Sequence, residues 1–170
     1  MVITLPNILI TGTPGVGKSR ICAEIAKHRP LKWQDVSKIA KDSGFIKEYD
    51  SRLECPILDE DGLMDFLEPE MEKGGNIVEY HSCEFFPERW FDAVFVIQCD
   101  NSILHDRLVE RGYNDEKIKQ NIECEIFRVV LDEAMESYDE DIVVPLSGET
   151  EADFTASTEK VLHFIDNFRK

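Results

Sequence analysis

Gly12-Thr-Pro-Gly-Val-Gly-Lys-Ser19 follows the pattern G-x-x-x-x-G-K-[ST]. Each part has a chemical task. Gly15 and Gly17 open backbone conformations closed to other residues and let a phosphate approach the chain. The N–H groups of the turn, and the amino end of a helix behind it, then face an anion. Lys18 places positive charge on the β- and γ-phosphates of a nucleoside triphosphate, and the Ser19 hydroxyl can ligate Mg²⁺. The pattern falls between a strand-like run and a helix-like run, which is the context this chemistry requires.

A second carboxylate site accompanies such loops, at the end of a neighbouring strand, where it steadies Mg²⁺ through water. Glu79 fits, since it follows Ile77-Val78 and precedes Tyr80-His81. The competing reading is a strand-end glutamate with no ligand. In a strand, His81 points to the same side as Glu79, where it could orient water or relay a proton; a packed strand-end histidine is the alternative. Phosphoryl transfer also needs positive charge around the migrating group. Arg107 and Arg111 flank the end of a helix before Gly112-Tyr113-Asn114, from which Arg111 could swing onto ATP. Arg89, in FFPERWF, lies in the loop after the Glu79 strand, where an acceptor phosphate could sit. Each arginine could equally be a surface ion-pair residue. No N-K-x-D and no L-S-G-G-Q run occurs, which argues against a guanine-specific GTPase and a transporter ATPase.

These groups need a scaffold. Asn7–Thr11 reads as a buried parallel strand ending at the glycines. A helix follows Lys18 with Ile21 and Ile25 on one face, and Pro30 lies beyond its end. Ser37–Asp42 reads as a short helix stopped at Gly44. Leu63, Phe66, Leu67 and Met71 make a further helical stripe closed by Gly74-Gly75, with a kink expected at Pro69. Asn76–His81 and Ala93–Gln98 are strand-like. Asp100 caps a helix through Ile103, Leu104 and Leu108. One long helix is expected from about Asp115 to Tyr138, with Ile118, Ile122, Ile126 and Val129/Val130 inward. Ile142–Leu146 is a last strand, and Thr150-Glu-Ala-Asp153 resembles a capping box for a final helix carrying Phe154, Val161, Ile165 and Phe168. Strands alternating with helices imply an α/β fold, a parallel sheet covered on both faces, with its ligand beyond the carboxyl ends of the strands.

The 170 residues fit one domain, 1–170, with 42% hydrophobic residues for its core. A net charge of −16, from 35 acidic and 19 basic side chains, disfavours direct DNA and anionic-membrane binding; a cleft for ATP must gather its positive potential locally. The same charge suits a soluble surface or a basic protein partner. Five scattered cysteines with no C-x-x-C pair read as reduced thiols of an intracellular protein. The amino terminus is not expected to be a signal peptide, no apolar run approaches membrane-spanning length, and a monomer is expected.

Taken together, GTPGVGKS, CPILDED (Cys55–Asp61), IVEYH with FFPERWF (Ile77–Phe91), ERGYN (Glu110–Asn114) and NIECEIF (Asn121–Phe127) resemble the adenylate kinase isoenzyme 6 family, also called coilin-interacting nuclear ATPase. The matching blocks span nearly the whole chain. The resemblance implies a P-loop, adenylate kinase-like fold with a five-stranded parallel sheet, a nucleoside-monophosphate segment near 35–58 and a short lid near 110–120. It implies ATP:AMP phosphotransfer giving ADP, an Mg²⁺-dependent ATPase activity, and small ribosomal subunit maturation in nucleus and cytoplasm through a basic small-subunit ribosomal protein. By position, ATP contacts fall on Gly15, Gly17, Lys18, Ser19, Arg20 (through its backbone) and Arg111. The family's Asp-x-His reads Glu79-Tyr80-His81 in this chain, and its Thr-Thr reads Ser19-Arg20. Ordinary adenylate kinases hold AMP with an arginine whose matching position is Lys41, which lacks the bidentate fork.

Three functions remain open at this level: an adenylate kinase, an assembly ATPase that grips and releases a ribosomal partner, and a kinase for another small acceptor.

Overall fold

A computed structural model describes residues 4–170. Its five-stranded parallel sheet runs β2 (Lys32–Asp35), β5 (Asn76–Tyr80), β1 (Ile8–Thr11), β6 (Ala93–Gln98), β7 (Val143–Ser147). Side chains alternate across a strand, so both sheet faces bury apolar groups. Ile8, Ile10, Ile77 and Phe95 point to one layer, with α1 (Lys18–His28), α4 (Asn101–Glu110), α5 (Asp115–Ile126) and α7 (Glu151–Asn167). Leu9, Val78, Val94 and Val96 point to the other, with α2 (Val36–Ser43), α3 (Glu60–Lys73) and α6 (Val129–Ser137). The α/β expectation and the two covered faces hold.

Polar caps fix where the helices begin near the strand ends. Asp35 accepts Lys38 N–H for α2, Asn114 accepts Lys117 N–H for α5, and Thr150 with Asp153 forms the expected capping box of α7. Each cap is worth about 1 kcal/mol. Asn114 therefore decides where the first turn of α5 stands, and with it Lys117.

Two features were not announced by the sequence, and two local expectations change. The edge strand β2 is short and polar (KWQD), paired only with β5, so no apolar run announced it. Residues 46–58 form an antiparallel hairpin, β3 (Ile46–Asp50) and β4 (Cys55–Leu58). The expected helix from Asp115 to Tyr138 is two helices, because Arg128 adopts a left-handed φ of 52° between α5 and α6; Ile126 is exposed there, not inward. Phe66 is also exposed, resting on Phe45 with ring centroids 5.3 Å apart. Pro69 stands within α3 without ending it. Among the described residues no helix is long and apolar enough to cross a membrane.

Candidate active site

The glycine-rich loop leaves the central strand β1 and enters α1 at Lys18. Gly17 has φ 106°, and a Cβ there would lie 2.3 Å from Phe154 Cε1; only glycine permits both the turn and the closeness of α7. Lys18, 9% exposed, folds back on the loop, donating to Gly12 O at 2.8 Å and Thr13 O at 3.2 Å. Burial lowers its pKa from 10.5 to about 8, with the Glu79 carboxylate opposing and the Arg111 guanidinium adding to the shift.

Parallel register places Glu79 opposite both Ile10 of β1 and Asp35 of β2, so its carboxylate stands beside the loop. Glu79 Oε2 accepts the Ser19 hydroxyl at 2.8 Å, and Oε1 accepts Trp33 Nε1–H at 3.2 Å. Burial raises its pKa, the Ser19 bond opposes that rise, and the Asp35 charge adds to it. A hydroxyl facing a carboxylate beside a phosphate loop fits Mg²⁺, which takes one or two protein ligands and fills its octahedron with water and substrate phosphate. Ser19 and Glu79 are the residues that would hold it, and the ion would neutralise charge on the β/γ-oxygens. His81 follows β5 at the same cleft, its ring 4.1 Å from that of Tyr80. Desolvation by the cleft walls, then the charges of Lys18 and Lys117, lowers its pKa from 6.5 to about 4. The ring keeps contact with solvent at the cleft, and the lowered pKa favours the neutral imidazole, which can accept a hydrogen bond from water.

These groups line one cleft of about 490 Å³. Gly15, Lys18, Ser19, Glu79, His81 and Arg111 all line it. Its far wall is the β3–β4 hairpin, through Leu53, Cys55, Pro56 and Leu58.

Three expected site residues lie elsewhere. Arg89 is not beside the cleft: its guanidinium makes a two-pronged ion pair with Glu68 on the outer face of α3. Lys41, in the last turn of α2, is exposed and does not line the cleft. The Arg20 side chain turns away, pairing with Glu151 over the Phe154 ring, so only its backbone remains for ATP.

Three residues without an assigned role hold the site together. Glu125, on α5, accepts the Thr13 hydroxyl at 2.7 Å and the Cys99 N–H at 2.9 Å, tying the phosphate loop to the end of β6. Arg107, one turn before Arg111, donates to Gly15 O (3.3 Å), Gly148 O (2.7 Å) and Glu149 O (2.9 Å). Lys117 lines the cleft from α5. The acid in NIECEIF and the arginine spaced four from Arg111 were visible signals; their partners, over 25 residues away, were not.

Comparison with known proteins agrees with this geometry. A family model described as an AAA domain matches residues 8–128. The adenylate kinase isoenzyme 6 homolog of Drosophila melanogaster is 60% identical over 165 residues, covering 97% of this chain and 94% of the relative. The chain belongs to the adenylate kinase isoenzyme 6 family. A family homolog from Dictyostelium discoideum is 46% identical, covering 96% of this chain and 93% of its own. The fold is shared with more distant P-loop kinases: a shikimate kinase from Bacteroides thetaiotaomicron superimposes with a TM-score of 0.63 at 12% identity, over 95% of this chain and 99% of that one. Membership in the isoenzyme 6 family makes the cleft that of a P-loop nucleotide kinase.

Proposed function

We propose that this chain transfers the γ-phosphoryl group of ATP to AMP, forming two ADP with Mg²⁺, and that the same site hydrolyses ATP. The observation that carries the reading is one cleft with a phosphate loop on one side and an apolar hairpin wall on the other. A nucleotide donor fits the first side and a second nucleoside body the second. An oxygen of the AMP phosphate attacks the γ-phosphorus as the bond from that phosphorus to its bridging oxygen breaks; ATP⁴⁻ and AMP²⁻ become two ADP³⁻. The attacking dianion carries no proton, so no general base is needed. Lys18 and Arg111 hold the donor phosphates, and the loop N–H groups receive the developing charge. Without AMP, water takes the acceptor place, held by neutral His81.

A second reading is favoured by the exposed positions of Lys41 and Arg89: an assembly ATPase with little AMP phosphorylation. In it, ATP binding fixes one conformation for a basic small-subunit ribosomal protein during 18S rRNA maturation, in nucleus and cytoplasm. The net charge of −16 supports such a partner by complementarity. The test is product analysis with Mg·ATP, with and without AMP, resolving ADP from phosphate. AMP-dependent formation of two ADP without phosphate supports the kinase. Phosphate release indifferent to AMP, and rising with the ribosomal partner, sinks it in favour of the ATPase.

A further inference from the structure

Several exposed cations of this acidic chain are tied up in ion pairs. Arg20, Arg29, Arg52 and Arg89 pair with Glu151, Asp166, Glu116 and Glu68, while Lys32 and Lys73 share Glu70. Three cations line the cleft, Lys18, Arg111 and Lys117, and among the described residues none has a carboxylate within ion-pair distance. With 35 acids against 19 bases, a cleft where three cations converge and outnumber its two carboxylates, Asp35 and Glu79, suits an anion.

They divide between two sides. Lys18 lies within the phosphate loop, and Arg111 acts on Lys18; both belong to the donor. Lys117 instead stands on α5, outside the phosphate loop, and reaches across to the hairpin. Its ammonium donates to Glu54 O at 3.1 Å and stands 4.0 Å from the centre of the Tyr113 ring. Both partners are neutral, and phosphate oxygens bind an ammonium more strongly than either. Glu54 is the bend residue of the hairpin, with a left-handed φ of 49°. The hairpin side chains beside it, Leu53, Cys55, Pro56 and Leu58, offer an apolar wall suited to a flat base.

We propose that Lys117 is the cation that binds the acceptor phosphate, exchanging the Glu54 carbonyl for a phosphate oxygen when a nucleoside monophosphate enters. This deepens the AMP kinase reading and rests on it for the identity of the acceptor. It supplies the charge that Lys41 and Arg89 do not bring to the cleft.

The test compares wild type, Lys117→Gln and Lys117→Arg, each loaded with Mg²⁺ and a non-hydrolysable ATP analogue, by calorimetric titration with AMP and with adenosine. A charge-assisted hydrogen bond of ordinary strength predicts AMP binding about ten- to a hundredfold weaker in Lys117→Gln. Adenosine, which lacks the phosphate, should change less than about twofold, and Lys117→Arg should recover most of the AMP affinity. AMP and adenosine weakened equally would make Lys117 a hairpin fastener and overturn the inference, as would unchanged AMP binding or a wild type that binds no AMP. A wild type that binds AMP through Lys117 yet forms no ADP would remove the kinase reading alone.

Discussion

The buried charge on Lys18 should make ATP binding take up protons. In the empty loop its pKa is about 8 against 10.5 for a free lysine, a disfavour of about 3 kcal/mol for the ammonium at 1.36 kcal/mol per unit. Bound phosphates replace the Gly12 and Thr13 carbonyls with full negative charge and raise the pKa again. If the bound pKa exceeds about 10, the uptake equals the fraction of empty loops that are deprotonated: about 0.1 proton at pH 7, about 0.5 at pH 8 and about 0.9 at pH 9. Affinity for Mg·ATP then falls about tenfold from pH 7 to pH 9. Stability of the empty protein moves the opposite way. Because the folded pKa lies below the unfolded one, the unfolded chain binds more protons between pH 8 and 10.5, and the Lys18 penalty is relieved as pH rises through that window. Calorimetric titration in pairs of buffers with different ionisation enthalpies reads the uptake directly. Uptake near zero at pH 8 and 9, with an affinity flat from pH 7, would refute the reasoning.

Glu125→Ala removes the acceptor of two donors, Thr13 Oγ1–H and Cys99 N–H; it should lower stability by about 2 kcal/mol and the melting midpoint by about 4–8 °C, while Thr13→Ala in that background adds little. Gly17→Ala drives a methyl into Phe154 at a φ of 106°, and should abolish ATP binding in a fluorescent-nucleotide titration; affinity within threefold of wild type would mean the loop relaxes freely. His81→Gly should slow phosphate release more than it weakens ATP binding, and wild-type release should show no acid limb from His81 until near pH 4; equal losses in both would leave His81 a structural residue.

The parts of this site that lie along the chain could be read from it, and the parts that come from across the fold could not. The phosphate loop, Glu79 and His81 declare themselves through local spacing between an apolar strand and a helix. β2 escaped notice because an edge strand of four residues needs no apolar run to pair with β5. The break at Arg128 was hidden because its neighbours continue a helical pattern, although Phe127 is 70% exposed. Arg89 looked like an acceptor-site residue because it follows β5, yet the loop carries it to Glu68 on α3. Glu125, Arg107 and Lys117 act through partners distant in sequence, which no periodicity records.

Phe154 is the wall behind Gly17, lies under Arg20, and is approached by Arg107. The loop is thus shaped by a side chain of α7 that is far from it in sequence. During synthesis the central strand and its glycines emerge first, but their backing arrives only when α7 leaves the ribosome. A nascent chain shorter than this carries the complete nucleotide motif without the surface that holds its curve. Nucleotide capture by a growing chain is therefore expected to wait for α7, and a product cut before Phe154 should bind ATP poorly.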